Sequence, residues 1–150
     1  MMKITTKYLG EIEIDESKRI KFESGIPGFP EETSFMLLNF PGDQLSAFQV
    51  LQSLNTPDLT FIVTNPYYFY EDYEFELEGS LVEQLGIINE EDVIVLTIVT
   101  VKSPFSNSTI NLKAPLIINY KTRLGKQFIL QTDQYETRAP ISVPQTEEGK

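Results

Sequence analysis

Carboxylates are the side chains with which this chain could do chemistry, because it contains no His and no Cys. Triads that use His, thiol nucleophiles and thiolate metal sites are therefore excluded. Glu74, Glu76 and Glu78 alternate with apolar residues and would project from one face of a strand. Carboxylates spaced in this way lack the opposed geometry of a glycosidase pair, and the spacing of a calcium loop is absent. We expect a solvated acidic face, with no catalysis, metal or cofactor.

An enzyme that works with carboxylates stays an alternative. Such an enzyme requires at least one buried glutamate with a shifted pKa in a pocket.

An aromatic cluster runs directly into acid at residues 67–72, whose sequence is YYFYED. Tyr and Phe beside carboxylates are suited to an interface that recognises a basic, partly apolar protein partner. Alternatively, the aromatic residues pack a corner of the fold, and we expect at least two of the four to do so. The pattern predicts a binding module.

The charge of the chain is unevenly distributed. The formal net charge is −10, and residues 22–101 contain 14 acidic side chains but no Lys or Arg. Binding to nucleic acid requires clustered basic residues that neutralise phosphates, so this distribution argues against direct contact with nucleic acid. If the segment forms one face of the fold, it focuses a negative potential. The alternative is that surface acids only keep a β protein soluble.

Two apolar runs organise the predicted fold. Residues 93–101 (VIVLTIVTV) lack polar alternation and are rich in β-branched side chains, which predicts a central strand buried on both faces. Residues 109–119 contain Pro115, which removes a ladder donor and places this second strand at an edge, a bulge or a barrel corner. We expect the two runs to form an antiparallel pair.

Short strands with turn signals between them make up most of the remaining chain. They are expected at residues 11–14, 19–22, 35–40, 47–54, 59–64, 73–77 and 127–132. The first two should form a hairpin, and strands 47–54 and 59–64 should pair. Ser80 and Glu83 fit a capping box and Gly86 a helix stop, which predicts one short helix. The fold class is mainly β, an antiparallel, partly closed barrel-like fold with one short helix.

Residues 1–142 are expected to form a single domain. Residues 143–150 have almost nothing to bury and are expected to be a disordered tail. The N-terminus has no apolar core of signal-peptide length, and no apolar run approaches the length of a membrane span. Together with the lack of Cys, this predicts a cytoplasmic protein without membrane contact, and the high net charge favours a monomer.

Seven motifs extend this picture. They are FxxGIPGF at 22–29, FQVLQS at 48–53, TNPY at 64–67, DYEFEL at 72–77, VLTIVTV at 95–101, TINLKAPLIIN at 109–119 and GKQFIL at 125–130. In this order they resemble the FliW flagellar assembly factor family. The resemblance runs from about residue 8 to residue 141, and the combination of GIPGF with NLKAPLIIN is specific.

The resemblance implies a small cytoplasmic protein that is not an enzyme and has two protein partners. One is flagellin, which is bound before its export. The other is CsrA, a dimeric RNA-binding repressor of flagellin translation. When flagellin export frees the FliW-like protein, it binds CsrA away from the RNA site and antagonises RNA binding allosterically, which relieves the repression. The alternative is an export chaperone for flagellin without a role directed at CsrA.

Two patches are predicted to contact these partners. The face for CsrA consists of acids with aromatic anchors: Glu71, Asp72, Glu74, Glu76, Tyr68 and Tyr70. The second patch lies at a turn and consists of Ser53, Leu54 and Asn55. Asn111 is expected to satisfy buried backbone groups rather than to contact a partner.

Overall fold

A computed structural model describes residues 2–26, 28–39 and 47–141 of the chain. The strands are β1 (Met2–Thr6), β2 (Gly10–Ile14), β3 (Ile20–Lys21), β4 (Ser34–Asn39), β5 (Phe48–Ser53), β6 (Thr60–Thr64), β7 (Val93–Thr100), β8 (Thr109–Ile110), β9 (Leu116–Asn119), β10 (Leu124–Gln127) and β11 (Ala139–Pro140). The α-helix is α1 (Gly79–Leu85), and 3-10 turns occur at Glu16–Lys18, Pro66–Tyr68, Glu90–Asp92 and Phe105–Asn107. The predicted tail at 143–150 lies outside the described residues. No helix in the described ranges has the length and apolar character needed to cross a bilayer.

Seven strands form a closed ring in the order β3-β4-β5-β6-β7-β9-β10. The ring closes where β3 and β10 pair in parallel through Lys21 and Leu124, and the N–H of Lys21 donates to the carbonyl of Arg123 at 2.9 Å. The other pairings in the ring are antiparallel. The predicted mainly β, barrel-like fold with a short helix is confirmed, and the ring closes completely.

Strand β7 is the central strand that the apolar run predicted. It pairs with β6 on one edge and with β8 and β9 on the other. Ile94, Leu96 and Ile98 pack into the barrel core around Phe22, while Val95 and Val99 pack against a second cluster outside the barrel. Both faces are therefore covered, as the absence of polar alternation predicted.

The second apolar run is interrupted in its middle. Residues 111–115 separate β8 from β9, and both strands pair antiparallel with β7, as predicted. The side chain of Asn111 accepts hydrogen bonds from the N–H groups of Lys113 and Ala114, each at 3.1 Å. Pro115 falls in this break because it has no N–H for a ladder. The expectation that Asn111 satisfies backbone groups is confirmed.

The predicted hairpin between residues 11–14 and 19–22 is wrong. Strand β2 pairs instead with β1, in a two-stranded sheet that pairs Met2 with Ile14. Asp15 accepts hydrogen bonds from Ser17, and the 3-10 turn that follows redirects the chain. Strand β3 then closes the barrel, because this position buries Ile20 completely.

The helix was predicted at the correct place but with the wrong cap. It begins after Glu78, and neither Glu78 nor a capping box supplies a side-chain bond to its N-terminus. Its C-terminus ends at Gly86, with φ of 65°, as predicted. Asn119 and Thr122 donate side-chain hydrogen bonds to the carbonyl of Leu85 at 2.8 and 2.9 Å. Tertiary bonds at the C-terminus, rather than a local N-cap, hold this helix against the barrel.

The other strand predictions differ mainly at their ends. The predicted pairing of strands 47–54 and 59–64 is confirmed as β5 with β6. The strand predicted at 127–132 instead occupies Leu124–Gln127. Beyond it, Phe128 and Leu130 still donate backbone hydrogen bonds, to Pro115 and Lys113. The ladder ends here because the facing chain is the interrupted segment 111–115.

We expect Gly125→Ala to destabilise the fold. A Cβ at this position would lie 2.8 Å from the ring of Phe22, which is fully buried in the barrel core. Overpacking of this kind costs about 1–3 kcal/mol in the free energy of unfolding. Urea titration followed by circular dichroism measures the loss.

Gly79→Ala is the matched control. Nothing lies within 4 Å of a Cβ at this first helical position, so the same substitution should be neutral or slightly stabilising. Equal midpoints of urea unfolding for Gly125→Ala and Gly79→Ala would contradict the tight contact between Gly125 and Phe22.

Candidate protein-binding site

The acidic aromatic segment, residues 66–78, leads from β6 into α1. Its start is set by Asn65, whose side chain accepts a hydrogen bond from the N–H of Tyr67 at 2.9 Å and caps the 3-10 turn. Pro66 has no N–H to continue the ladder, so β6 stops at Thr64. The segment therefore leaves the sheet and crosses the outside of the barrel.

The strand predicted at residues 73–77 does not form. The predicted alternation is nevertheless present, because Tyr73 is buried while Glu74, Glu76 and Glu78 are exposed. The hydroxyl of Tyr135 accepts from the N–H of Glu74 at 3.0 Å and donates to its carbonyl at 3.1 Å. Side chains rather than a neighbouring strand thus satisfy this backbone.

Tyr73 anchors the segment to the barrel. Its hydroxyl donates to the carbonyl of Leu112 at 2.6 Å, and its ring packs edge-on against Tyr135 with centroids 4.7 Å apart. Burial raises the pKa of Tyr73 above its usual value, with smaller contributions from Tyr67 and Tyr135. A buried, hydrogen-bonded ring of this kind fixes the position of the backbone that carries the neighbouring acids, Asp72 and Glu74.

The two predicted aromatic anchors differ in exposure. Tyr68 is 64% exposed and is available to a partner. Tyr70 is half-buried, its hydroxyl donates to the carbonyl of Pro140, and burial raises its pKa. Phe69 and Tyr70 pack against the cluster outside the barrel, which confirms that at least two of the four aromatic residues are structural.

The four predicted carboxylates, Glu71, Asp72, Glu74 and Glu76, are exposed. None of them forms an ion pair, since the one ion pair among the described residues joins Lys113 to Asp133 at 3.6 Å. Nor do the described residues contain a group of three or more acids that could hold a metal. These carboxylates are free to attract cationic side chains of another protein.

The second predicted patch is built around a buried serine. Ser53 is 1% exposed, and its hydroxyl donates to Glu32 at 2.6 Å while accepting from the N–H groups of Asn55 and Thr56. Hydrogen bonds from Ser53 and Thr56 hold the pKa of Glu32 below its usual value. A partner at this turn would meet Asn55 and the half-buried Leu54, with Ser53 shaping the turn beneath them.

The structure does not bring the two patches together. Ser53 is the last residue of β5, whereas Phe48, the first, packs against Phe69 of the acidic aromatic segment with centroids 6.0 Å apart. A strand of this length spans about 16 Å. The two patches therefore lie at opposite ends of β5.

A groove beside the acidic aromatic segment was not predicted. Its volume is about 1020 Å³. Aromatic, aliphatic and acidic side chains line it, among them Tyr67, Tyr68, Phe75, Glu76, Ile88 and Glu90. Ile88 is 88% exposed. The adjacent isoleucines after Gly86 were a signal in the sequence, since two large aliphatic residues in a loop indicate either a cover for the core or a contact surface.

The family described as "FliW protein" matches residues 3–141 of the chain. The chain belongs to the FliW family.

Individual relatives agree with this assignment. The flagellar assembly factor FliW of Oceanobacillus iheyensis is 46% identical over 149 residues, covering 99% of this chain and 100% of that protein. The protein of the same name from Bacillus subtilis is 47% identical over 140 residues, covering 93% of this chain and 96% of its own length. A crystal structure of the flagellar assembly factor FliW matches with a TM-score of 0.86 and 45% identity, covering 93% of this chain and 96% of that chain.

We expect Tyr73→Phe to lower the free energy of unfolding by about 1–2 kcal/mol, because it leaves the buried carbonyl of Leu112 without a donor. The raised pKa of Tyr73 also means that its contribution is complete below about pH 10 and is lost as the pH rises above that value. The stability of the parent protein should therefore fall more steeply above pH 10 than that of Tyr73→Phe. Thermal melts between pH 7 and pH 11 measure both effects.

Tyr135→Phe is the control for the hydroxyl. It removes bonds to the exposed residue Glu74, which water can replace, so the loss at neutral pH should be smaller. A larger loss for Tyr135→Phe would show that Tyr73 is not the main anchor.

Proposed function

We propose that this chain is a flagellar assembly factor that binds flagellin in the cytoplasm and, once flagellin has been exported, binds the translational regulator CsrA. In that complex it antagonises the RNA binding of CsrA allosterically and relieves repression of flagellin translation. It acts as a monomer, without a cofactor and without contacting nucleic acid or a membrane. Membership of the FliW family and the name that its relatives share support this function.

The observation that carries the proposal is the unpaired acidic and aromatic surface at residues 68–76. Glu71, Asp72, Glu74 and Glu76 are exposed beside Tyr68, and residues 22–101 contain no Lys or Arg. A protein that binds RNA presents basic side chains, which such a surface attracts. When this chain is bound next to the basic side chains of such a partner, its carboxylates would also repel the phosphates of RNA.

Burial of the acids gives no support to the enzymatic alternative. None of the described Asp or Glu residues is buried. The described glutamate with a shifted pKa, Glu32, lies near the surface, and its pKa is lowered by neutral hydroxyl donors. A general acid requires a carboxyl group whose pKa is raised by burial, and the described Asp and Glu residues offer no buried carboxyl group.

The alternative is a flagellin export chaperone without a role directed at CsrA. The exposed tyrosines and the apolar side chains of the groove suit an amphipathic export substrate, and binding of that substrate there requires no second partner.

Reversal of two charges, Glu71→Lys with Asp72→Lys, should weaken CsrA binding by about tenfold or more while the fold stays intact. Both side chains are exposed, so the circular dichroism spectrum and melting temperature should not change. Calorimetric titration at two salt concentrations measures the affinity, and the loss should be smaller at high salt because exposed charges are screened.

The matched control is Glu11→Lys with Glu13→Lys. It makes the same change in net charge at exposed positions of the β1–β2 sheet, away from the acidic aromatic segment. Equal loss of affinity in both double variants would mean that net charge, and not this surface, attracts the partner.

Flagellin should displace CsrA from a preformed complex with this chain. Titration of the complex with purified flagellin, read by size exclusion and calorimetry, tests the partner switch. Displacement would support two coupled or shared sites. A ternary complex would rule out exclusive binding, and flagellin binding without any CsrA binding would favour the chaperone alternative.

A further inference from the structure

Half of β7 has an edge without a neighbouring strand among the described residues. Strand β9 pairs with Val93–Leu96 on one side. On the other side, β6 reaches only Thr97 and Ile98, because the chain turns away at Asn65 and Pro66. The open edge lies along the groove, which Val93, Ile94, Val95 and Leu96 all line.

Alternation along the strand shows which backbone groups point into the groove. The carbonyls of Asp92 and Ile98 accept from Tyr120 and Asn111, so even-numbered residues direct their backbone groups toward β8 and β9. Odd-numbered residues direct theirs to the opposite edge. The C=O of Val93 and the N–H and C=O of Val95 therefore face the groove, and no backbone hydrogen bond between described residues outside the ladders reaches these three groups. The N–H of Val93 is occupied, because it donates to the carbonyl of Glu90 and closes the preceding 3-10 turn.

The lining of the groove combines apolar and acidic side chains. Phe75, Leu77, Val82 and the exposed Ile88 are among its apolar residues. Glu76 and Glu90 are the charged residues of the lining, which includes no Lys or Arg. Such a site selects an apolar segment with positive charge at its ends.

We propose that this groove binds an extended segment of a protein partner as an added β-strand along Val93–Leu96. The segment carries apolar side chains at alternating positions and Lys or Arg at its flanks. Its backbone pairs with the C=O of Val93 and with the N–H and C=O of Val95, and its cations meet Glu76 and Glu90. This inference rests on the proposed function, since it specifies how that function's partner is held.

The open backbone edge is the reason for a strand rather than a helix. A helix satisfies its own backbone groups internally and would leave the C=O of Val93 and the N–H and C=O of Val95 unpaired beneath it. An added strand pairs them and also covers an edge that would otherwise be open to association with other chains.

Amide hydrogen exchange on the full ¹⁵N-labelled chain tests the pairing, first alone and then with unlabelled flagellin or CsrA. In the free protein, the amide of Val95 should exchange rapidly, while those of Ile94 and Leu96, which pair with β9, should be protected. When a partner binds, exchange at Val95 should slow by at least about tenfold. Protection of Val95 in the free protein to the level of Ile94 would overturn the open edge.

Ile88→Lys tests the lining of the groove against Ile129→Lys as the matched control. Both isoleucines are exposed, at 88% and 54%, and Ile129 does not line the groove. Ile88→Lys should weaken partner binding by about tenfold, and Ile129→Lys should leave it within about twofold. Equal effects would overturn the assignment of the groove.

The remaining outcomes separate this inference from the proposed function. A partner that binds without protecting the amide of Val95, including one that docks as a helix, overturns the added strand and leaves the proposed function standing. If neither flagellin nor CsrA binds, the proposed function fails. A synthetic peptide of alternating Val and Lys then tests the groove: protection of Val95 at millimolar peptide supports the added strand, and its absence overturns it.

Discussion

The pairing of β7 with β9 is the constraint on which the rest of this structure depends. It completes the ring of seven strands, and it places Ile117 beneath the buried Leu81 and Leu85 of α1. Because β9 occupies one edge of Val93–Leu96, the groove can form only along the other edge. Closure of the barrel and the opening of the groove are thus two consequences of one strand with different neighbours on its two sides.

The acidic aromatic segment is held by side chains rather than by a sheet. Tyr70, Tyr73 and Tyr135 bond to backbone groups distant in sequence, and Glu74 presents its carboxylate to solvent between them. A segment fixed in this way can expose a row of charges without the pairing constraints of a ladder. Hydrogen bonds that hold Tyr70 and Tyr73 in place would lower the entropic cost of binding a partner at this segment.

Part of the fold and of the site could be predicted from sequence because the signals are local. The absence of alternation in 93–101 indicated burial on both faces, Pro115 indicated a break, and alternation at 73–78 identified which carboxylates are exposed. Two other predictions were wrong. Strand β2 pairs with β1, a neighbouring strand that the sequence pattern did not predict, instead of with β3. Helix α1 is held by the distant residues Asn119 and Thr122 instead of by a local capping box.

Composition alone determined that chemistry with His or Cys is unavailable and that one long stretch carries negative charge without any positive charge. The order of motifs also indicated the family. Only the tertiary structure decided that Ser53 is buried, that Tyr70 is tied to Pro140, and that Val93 and Val95 face an open groove. The physical reason is that the exposure and backbone pairing of a residue depend on which other segment lies beside it in the fold. The residues next to it in the sequence do not determine that segment.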